Sequence, residues 1–457
     1  MCAFWVWEAS HKLQNGAGNH PDYRVVFFIK RYFEVAMYPF FGYTFLKLLQ
    51  GLRESYMDIL SLLKDLVVPA KTKIVLLVMD GLGGLPGKKG GKTELESAHT
   101  PHLDQLARES SCGLLDPILI GVTPGSGPAH LALFGYDPLK YRVGRGVLAA
   151  LGIGFDLQPS DVAARINFAT VDDQGKVSDR RAGRISNEEN ARLIRLLEDI
   201  YLPDVEIFFR TVKEHRAMLV LRGEDLSGDL ADTDPQQVGL PPKEVTPLNQ
   251  EADATAEIVR SLLTQARERL SAEHPANMIL LRGFDRYEPL PSFQELYGIA
   301  SAAIATYPMY KGVARLAGME AIDSPRSLAE EFDLLEKHYQ DYDYFFIHVK
   351  QTDSSGEDGD FDRKVSVIEE VDRLLPRLIS LKPDVLAITG DHSTPALLRS
   401  HSWHAVPLLL SSPYARPDAA SAFSETECAR GCLGRFQTVN LMGLLLANAL
   451  RLTKYGA

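Results

Sequence analysis

Four continuous apolar runs stand out along the chain and predict buried β-strands, at residues 73–79, 343–349, 384–389 and 406–410. Their apolar residues follow one another without alternation, which is typical of parallel strands covered on both faces. Amphipathic helical patterns lie between and after them, at 100–108, 361–381 and 439–452. The first of these begins with Thr100 as a capping residue and Pro101 in the first turn. The pattern predicts an α/β protein with a mostly parallel sheet flanked by helices.

The middle of the chain, residues 151–315, has a hydrophobic pattern of its own. It predicts strands at 162–170, 206–210 and 217–222, a helix at 250–270, and an acidic surface loop at 225–247. We therefore expect an inserted α+β domain that divides the core into two parts, 57–150 and 316–457.

The first 56 residues differ from the rest of the chain. They are rich in Trp and Phe, but Lys30, Arg31, Glu34 and Lys47 interrupt every apolar stretch, so no span long enough to cross a bilayer is present. The layout of a signal peptide is also missing. Two interpretations stay open: an amphipathic segment on a membrane surface, or an extension outside the native protein, with translation starting at Met57.

Composition narrows the class of protein. The net charge of -11 argues against a general nucleic-acid binder. Four cysteines are too few for a disulfide framework and fit a reducing compartment, so we expect a cytoplasmic protein. Cys428 and Cys432 are interpreted as two ordinary thiols, with a structural metal as the weaker alternative.

Carboxylates and imidazoles stand at the ends of the predicted strands, where chemistry collects in open α/β sheets. Asp80, Asp391 and His392 could hold one divalent metal that also binds the oxygen of Ser126. Asp353, Glu357 and His401 could hold a second. Mixed oxygen and nitrogen ligation suits Mn²⁺, Mg²⁺ or Zn²⁺.

Ser126 lies between glycines at a predicted loop-to-helix junction, where its oxygen can be exposed and helix N–H groups can face a phosphate. An ordinary helix-capping serine is the alternative. The candidate metal ligands elsewhere in the chain favour the interpretation of Ser126 as a nucleophile, because coordination to a metal lowers the pKa of a hydroxyl.

Several short segments together resemble the cofactor-independent phosphoglycerate mutases, in particular the archaeal-type branch of the alkaline phosphatase superfamily. They run from about residue 71 to the C-terminus, in the order of the family: 79–83 (MDGLG), 124–126 (PGS), 129–131 (AHL), 133–138 (LFGYDP), 144–146 (GRG), 167–170 (NFAT), 179–184 (DRRAGR), 310–312 (YKG) and 390–393 (GDHS). The resemblance implies an alkaline-phosphatase-like core and a substrate-holding insertion. It also implies interconversion of 3-phosphoglycerate and 2-phosphoglycerate, in glycolysis and gluconeogenesis, through a phosphoserine at Ser126. Two metals and no bisphosphoglycerate would take part.

Basic residues are the expected substrate contacts: the same resemblance supports the cluster 180–184, whereas Arg282 and Lys311 are singled out because each lies beside a glycine that lets the backbone approach closely. Arginine grips carboxylates and phosphates with two hydrogen bonds, which suits a phosphorylated acid. The expected contacts are Arg180, Arg181, Arg184, Arg282 and Lys311. His215 could be a general acid or base, with a surface histidine as the simpler interpretation.

One position departs from the family pattern: Glu357 stands where the archaeal type usually has a histidine. A carboxylate there would shift metal preference from Zn²⁺ toward Mn²⁺ or Mg²⁺. His404 is the alternative to His401 as an imidazole ligand. Two other classes stay open, a phosphatase with the same serine and metals and a non-catalytic metabolite binder. A monomer is expected.

Overall fold

A computed structural model describes residues 59–87, 91–322 and 325–456. The expectations about residues 1–56 and Met57 lie outside these residues. The described strands of the larger sheet are β1 (Ile74–Met79), β2 (Ser111–Asp116), β8 (Ser301–Ala305), β9 (Glu320–Ala321), β10 (Tyr344–Val349), β11 (Val385–Thr389), β12 (Val406–Ser411) and β13 (Gly434–Gln437). Those of the second sheet are β3 (Val162–Val171), β4 (Val177–Asp179), β5 (Glu206–Lys213), β6 (Arg216–Arg222) and β7 (Met278–Arg286).

The larger sheet confirms the α/β class. Its strands run in the order β13-β2-β12-β11-β1-β10-β8-β9, and every neighbouring pair is parallel except the two that involve β12. β1 lies in its centre, and all six of its residues are buried, because parallel strands with helices on both faces leave no face to solvent. Val75, Leu77 and Met79 point into one hydrophobic core.

The described helices connect and cover the strands. Their bounds are Ile59–Leu66, Glu94–Ser97, Pro101–Arg108, Ser126–Leu133, Arg145–Gly152, Asn187–Leu197, Asp253–Leu270, Phe293–Tyr297, Pro308–Leu316, Leu328–His338, Gln351–Asp358, Phe361–Ser380, Glu425–Cys428 and Leu441–Asn448, with 3₁₀ turns at Ala182–Arg184, Gln250–Ala252 and Thr438–Asn440. Within the described residues, no helix is long and apolar enough to cross a membrane.

The second sheet is antiparallel, in the order β4-β3-β6-β5 with β7 beside β3. Helices Asn187–Leu197 and Asp253–Leu270 contribute to a separate core over one of its faces, which holds Val162, Ala164 and Ile166 of β3. The sheet lies wholly within the segment predicted to be inserted. β8 differs from the prediction: it was assigned to the insertion but pairs with β10 in the larger sheet.

Two local expectations need correction. Thr100 stands at the N-cap of Pro101–Arg108, but its side chain makes no capping hydrogen bond. Its hydroxyl bonds to Asp104 instead, at 3.3 Å. The last helix is shorter than predicted and ends at Asn448, shortly before Leu450, whose φ of 55° is incompatible with a right-handed helix.

Candidate active site

The first group of candidate metal ligands lies at the carboxyl edge of the larger sheet. Asp80 follows β1, and Asp391 and His392 follow its neighbour β11, so these side chains converge. One ligand atom of each lies within 4.8 Å of the others, and all three residues are fully buried. Gly81, with a φ of 66°, lets the loop after Asp80 pack closely, because a Cβ there would lie 2.5 Å from Thr394 Oγ1.

A second group forms beside it from Asp353, His392 and His401. Asp353 lies in helix Gln351–Asp358, directly after β10. His401 precedes β12, yet it reaches the same edge because β12 runs antiparallel to β11. His392 therefore belongs to both groups, and its ring stacks on His401 with centroids 3.6 Å apart.

Glu357 lies outside both groups. Its Oε1 is 3.9 Å from His401 Nε2, and its side chain is 56% exposed. It lines the mouth of the cavity beside the second group, so its assignment as a ligand stays a prediction. His404 is also outside both groups; its Nδ1 bonds to the hydroxyl of Ser402 at 3.0 Å.

Hydrogen bonds orient the two imidazoles of the second group. Thr394 Oγ1 donates to Asp353 Oδ1 at 2.6 Å and lies 3.0 Å from His392 Nδ1. His401 Nδ1 donates to the carbonyl of Pro124 at 3.0 Å. Since each Nδ1 faces an oxygen, each Nε2 is directed at the carboxylates, as in metal sites whose outer partners fix the tautomer.

Ser126 is the first residue of helix Ser126–Leu133, with Gly125 at the N-cap. The junction predicted from the sequence is therefore confirmed. The side chain of Ser126 is free of the capping role, and its Oγ lies 3.3 Å from His392 Nε2. The helix N-terminus offers backbone N–H groups without helical partners on the same side.

The charges of the first group fit a cation. Asp80 Oδ1 and Asp391 Oδ2 are buried without hydrogen-bond partners among the described residues. Burial, with the nearby charge of Asp80, raises the pKa of Asp391 well above its usual range. Burial also lowers the pKa of His392 well below normal, so its ring is neutral and can donate a lone pair. Two carboxylates and a neutral imidazole are a donor set suited to Mn²⁺, Mg²⁺ or Zn²⁺.

Lys350 joins the two groups and was not singled out in the sequence. Its Nζ contacts Asp353 Oδ2, Asp80 Oδ2 at 3.1 Å and the hydroxyl of Tyr310 at 2.9 Å. Burial acts to lower the pKa of Lys350, but these acidic neighbours outweigh it and hold the pKa well above the usual value. Its position directly after β10 is the signal that could have found it.

A cavity of about 1030 Å³ opens beside this cluster. Ser126, Asp353 and His401 line it together with several basic side chains. The cations that line it are Arg145, Arg165, Arg184, Lys213, Arg216, Arg282, Lys350 and Arg399.

Only part of the predicted basic cluster lines this cavity. Arg184 and Arg282 do, whereas Arg180 bonds to Asp234 at 2.9 and 2.7 Å. Arg181 is exposed nearby, and Lys311 is buried in helix Pro308–Leu316; neither is among the described lining residues. The sequence did not single out Arg165 and Arg216, which only strand pairing brings beside Arg282.

His215 is buried rather than exposed, with 2% of its surface accessible. Burial and the charges of Arg216, Arg181, Arg165 and Arg184 lower its pKa to about 3, so the ring is neutral. Cys428 is buried and Cys432 exposed, and neither candidate metal group contains a cysteine.

Comparison with known proteins identifies the family. The sequence profile of the 2,3-bisphosphoglycerate-independent phosphoglycerate mutases matches residues 107–277. A probable 2,3-bisphosphoglycerate-independent phosphoglycerate mutase of Thermus thermophilus is 52% identical over 406 residues, which cover 88% of this chain and 100% of the relative. One from Aquifex aeolicus is 51% identical over 411 residues, with the same coverage of 88% and 100%.

Solved structures agree. A cofactor-independent phosphoglycerate mutase of Thermoplasma acidophilum is 32% identical with a TM-score of 0.63, covering 83% of this chain and 100% of its own. A Pyrococcus horikoshii protein is 29% identical with a TM-score of 0.73, covering 85% and 100%. These similarities confirm the resemblance found in the sequence, and the chain belongs to the family of 2,3-bisphosphoglycerate-independent phosphoglycerate mutases.

Proposed function

We propose that this protein interconverts 3-phosphoglycerate and 2-phosphoglycerate through a phosphoserine at Ser126. One observation carries the proposal: a helix-terminal serine lines one cavity with Asp353, His401 and several arginines, and its Oγ is 3.3 Å from His392, which belongs to both candidate metal groups. A nucleophile, cation ligands and an anion clamp are what phosphoryl transfer within a small phosphorylated acid requires.

The arginines hold the substrate. Arg165 pairs directly with Arg282 across β3 and β7, and Arg216 lies diagonally from Arg165 on β6. Like charges placed side by side on a sheet repel one another. Burial and the neighbouring arginines lower the pKa of Arg165 to about 10, and in the part of the chain that the structure describes its Nε has no hydrogen-bond partner. A phosphate or carboxylate between these side chains would relieve the repulsion and accept their hydrogen bonds.

The chemistry proceeds in two matched transfers. Ser126 Oγ attacks the phosphorus, the bond to the C3 oxygen breaks, and the proton lost by the serine balances the one gained by the departing glycerate. Glycerate then turns within the clamp, and its C2 hydroxyl takes the phosphoryl group back with the reverse proton change. Asp80, Asp391, His392, Asp353 and His401, with Glu357 at the rim, would hold the cations. Divalent cations there would neutralise phosphoryl charge and lower the pKa of the Ser126 hydroxyl.

We further propose that the residues from 151 up to β8, within the predicted inserted segment 151–315, form a substrate-holding domain, and that Mn²⁺ or Mg²⁺ is the working metal. The acidic ligands, which include Glu357 as a hard oxygen donor, support that preference. A cytoplasmic monomer without nucleic-acid partners fits the net charge of -11. Light scattering on the purified chain tests the monomer.

The deciding experiment is an assay with Mn²⁺ and without bisphosphoglycerate, in which isomerisation and inorganic phosphate release are followed in the same tube. We expect rapid isomerisation, little phosphate release, and phosphate on the Ser126 peptide after acid quenching. Ser126→Ala should abolish isomerisation, while Ser366→Ala, an exposed serine of helix Phe361–Ser380, should not change it. Phosphate release without isomerisation would contradict the proposal and indicate a phosphatase.

A further inference from the structure

A buried lysine lies behind the loops that carry the candidate metal ligands. Lys364, in helix Phe361–Ser380, has no accessible surface and does not line the cavity. Its Nζ donates to three backbone carbonyls: Gly81 at 2.9 Å, Gly83 at 3.1 Å and Thr394 at 2.9 Å. The carboxylate of Glu94 is 4.0 Å away. Carbonyl oxygens therefore provide the direct hydrogen bonds of this ammonium.

Those carbonyls belong to the two ligand-bearing loops. Gly81 and Gly83 follow Asp80, and Thr394 follows Asp391 and His392. The same threonine donates its hydroxyl to Asp353, so it links the second group to this point as well. A single ammonium thus ties together the segments that supply both candidate metal groups.

The burial of the Lys364 ammonium is unfavourable by itself, so other interactions must offset it. Burial of an ammonium is unfavourable unless several acceptors replace its water, and three carbonyls do so here. The loop after β1 contains three glycines within Gly81–Gly84 and would otherwise lose much conformational entropy on ordering. Three hydrogen bonds from one ammonium hold this loop and the Thr394 segment in place and so oppose that loss. Lys350 already lies between Asp80 and Asp353, so the contribution of Lys364 acts through the backbone of the loops.

We propose that Lys364 is a positioning residue that holds both candidate metal sites in ligand geometry before any cation binds. This inference rests on the proposed function, in which Asp80, Asp391 and Asp353 are metal ligands. It assigns to Lys364 a role in cation affinity and none in contact with the substrate, because the side chain lies behind the loops.

The test measures Mn²⁺ binding by the full chain, without substrate, by calorimetry and by the electron paramagnetic resonance signal of free Mn²⁺. In Lys364→Met we expect affinity to fall about 10- to 100-fold, the range seen when partners behind metal ligands are lost. The KM for 3-phosphoglycerate at saturating Mn²⁺ should stay unchanged. Lys364→Gln, which keeps a hydrogen-bond donor, should bind Mn²⁺ with intermediate affinity and supplies the same measurement if the methionine variant does not fold.

Arg451→Met is the matched control. Arg451 is a buried cation that also donates to a backbone carbonyl, that of Thr72 at 2.8 Å, but Thr72 precedes β1, at the opposite end of that strand from Asp80. The Arg451→Met substitution should lower thermal stability without changing Mn²⁺ affinity. Wild-type affinity in a folded Lys364 variant, or an equal loss in Arg451→Met, would overturn the inference.

The design separates this inference from the proposed function. A wild-type chain that binds Mn²⁺ without isomerising 3-phosphoglycerate would overturn the function and leave the role of Lys364 open to the same comparison of affinities. A wild-type mutase whose Lys364 variants bind Mn²⁺ normally would overturn only the inference. A wild-type chain that binds no Mn²⁺ would overturn both.

Discussion

The two sheets present their polar side chains in different ways. In the larger sheet the strands β1 and β11 are buried throughout, and Asp80, Asp391 and His392 lie on loops just beyond their ends. In the second sheet Arg165, Arg216 and Arg282 lie on the strands themselves, on the face opposite Val162, Ala164 and Ile166 of its core.

The difference follows from which faces are covered. In a parallel sheet that is covered on both faces, functional side chains collect at the carboxyl ends of the strands, where they are buried and hydrogen-bonded. An antiparallel sheet with a core on one face has its other face available for recognition. We therefore expect substitutions in the first region to change cation binding and turnover, and those in the second to change substrate binding.

The largest effect is expected for Asp391→Asn. This change replaces a carboxylate ligand of the first group by an amide of similar size, so turnover should fall about 1000-fold and Mn²⁺ affinity should fall with it. Asp372→Asn alters another buried carboxylate, one that bonds to His102 and Leu103 away from the cavity. Calorimetry and steady-state kinetics compare the two variants. Full Mn²⁺ affinity in Asp391→Asn would contradict the assignment of Asp391 as a metal ligand.

Arg165→Met tests whether the second sheet binds the substrate independently of cation binding at the larger sheet. Loss of a charged donor to the substrate should lower kcat/KM about 100-fold, mainly through KM, with Mn²⁺ affinity unchanged. Arg210→Met, on the exposed part of β5 in the same sheet, serves as control. If KM stays at the wild-type value in Arg165→Met, the substrate is held elsewhere.

Glu425 gives the larger-sheet region a distinctive pH dependence. Burial raises its pKa to about 6, above the 4.5 of a free glutamate, although Thr93 and Gly84 donate hydrogen bonds to it. The carboxyl of Glu425 therefore stays protonated to higher pH in the folded state than in the unfolded state. The stability that this protonated carboxyl contributes is lost as the pH rises through about 4.5 to 6. Relative to Glu425→Gln, wild type should lose about 2 kcal/mol of unfolding free energy between about pH 4 and about pH 7.

Urea unfolding at several pH values measures this difference. Parallel pH profiles for wild type and Glu425→Gln would show that the carboxyl ionises normally.

The smallest effect is expected for Glu357→His at the rim of the cavity. An imidazole in place of a half-exposed carboxylate should raise affinity for Zn²⁺ relative to Mn²⁺ by about 10-fold. Asp358→His, which places the same ring on the next, exposed residue, should leave the ratio unchanged. Competition titrations measure the ratio, and an unchanged ratio in Glu357→His would remove Glu357 from the set of ligands.

The sequence by itself determined the features that depend on neighbouring residues. Continuous apolar runs predicted β1, β10, β11 and β12 to within a residue or two, because burial on both faces needs an unbroken run. The strand ends then indicated Asp80, Asp353, Asp391 and His392. The segment around Ser126 was interpreted correctly as a loop-to-helix junction.

Only the tertiary structure decided which of these residues meet. Strand pairing made His392 common to both groups and set Arg165 beside Arg282, although these arginines are far apart in the chain. A side-chain contact between two loops paired Arg180 with Asp234, which left that predicted contact away from the cavity. Lys364 has an ordinary local pattern, and its importance comes from acceptors on distant loops. Periodicity records which residues are buried, whereas strand order and register decide what they are buried against.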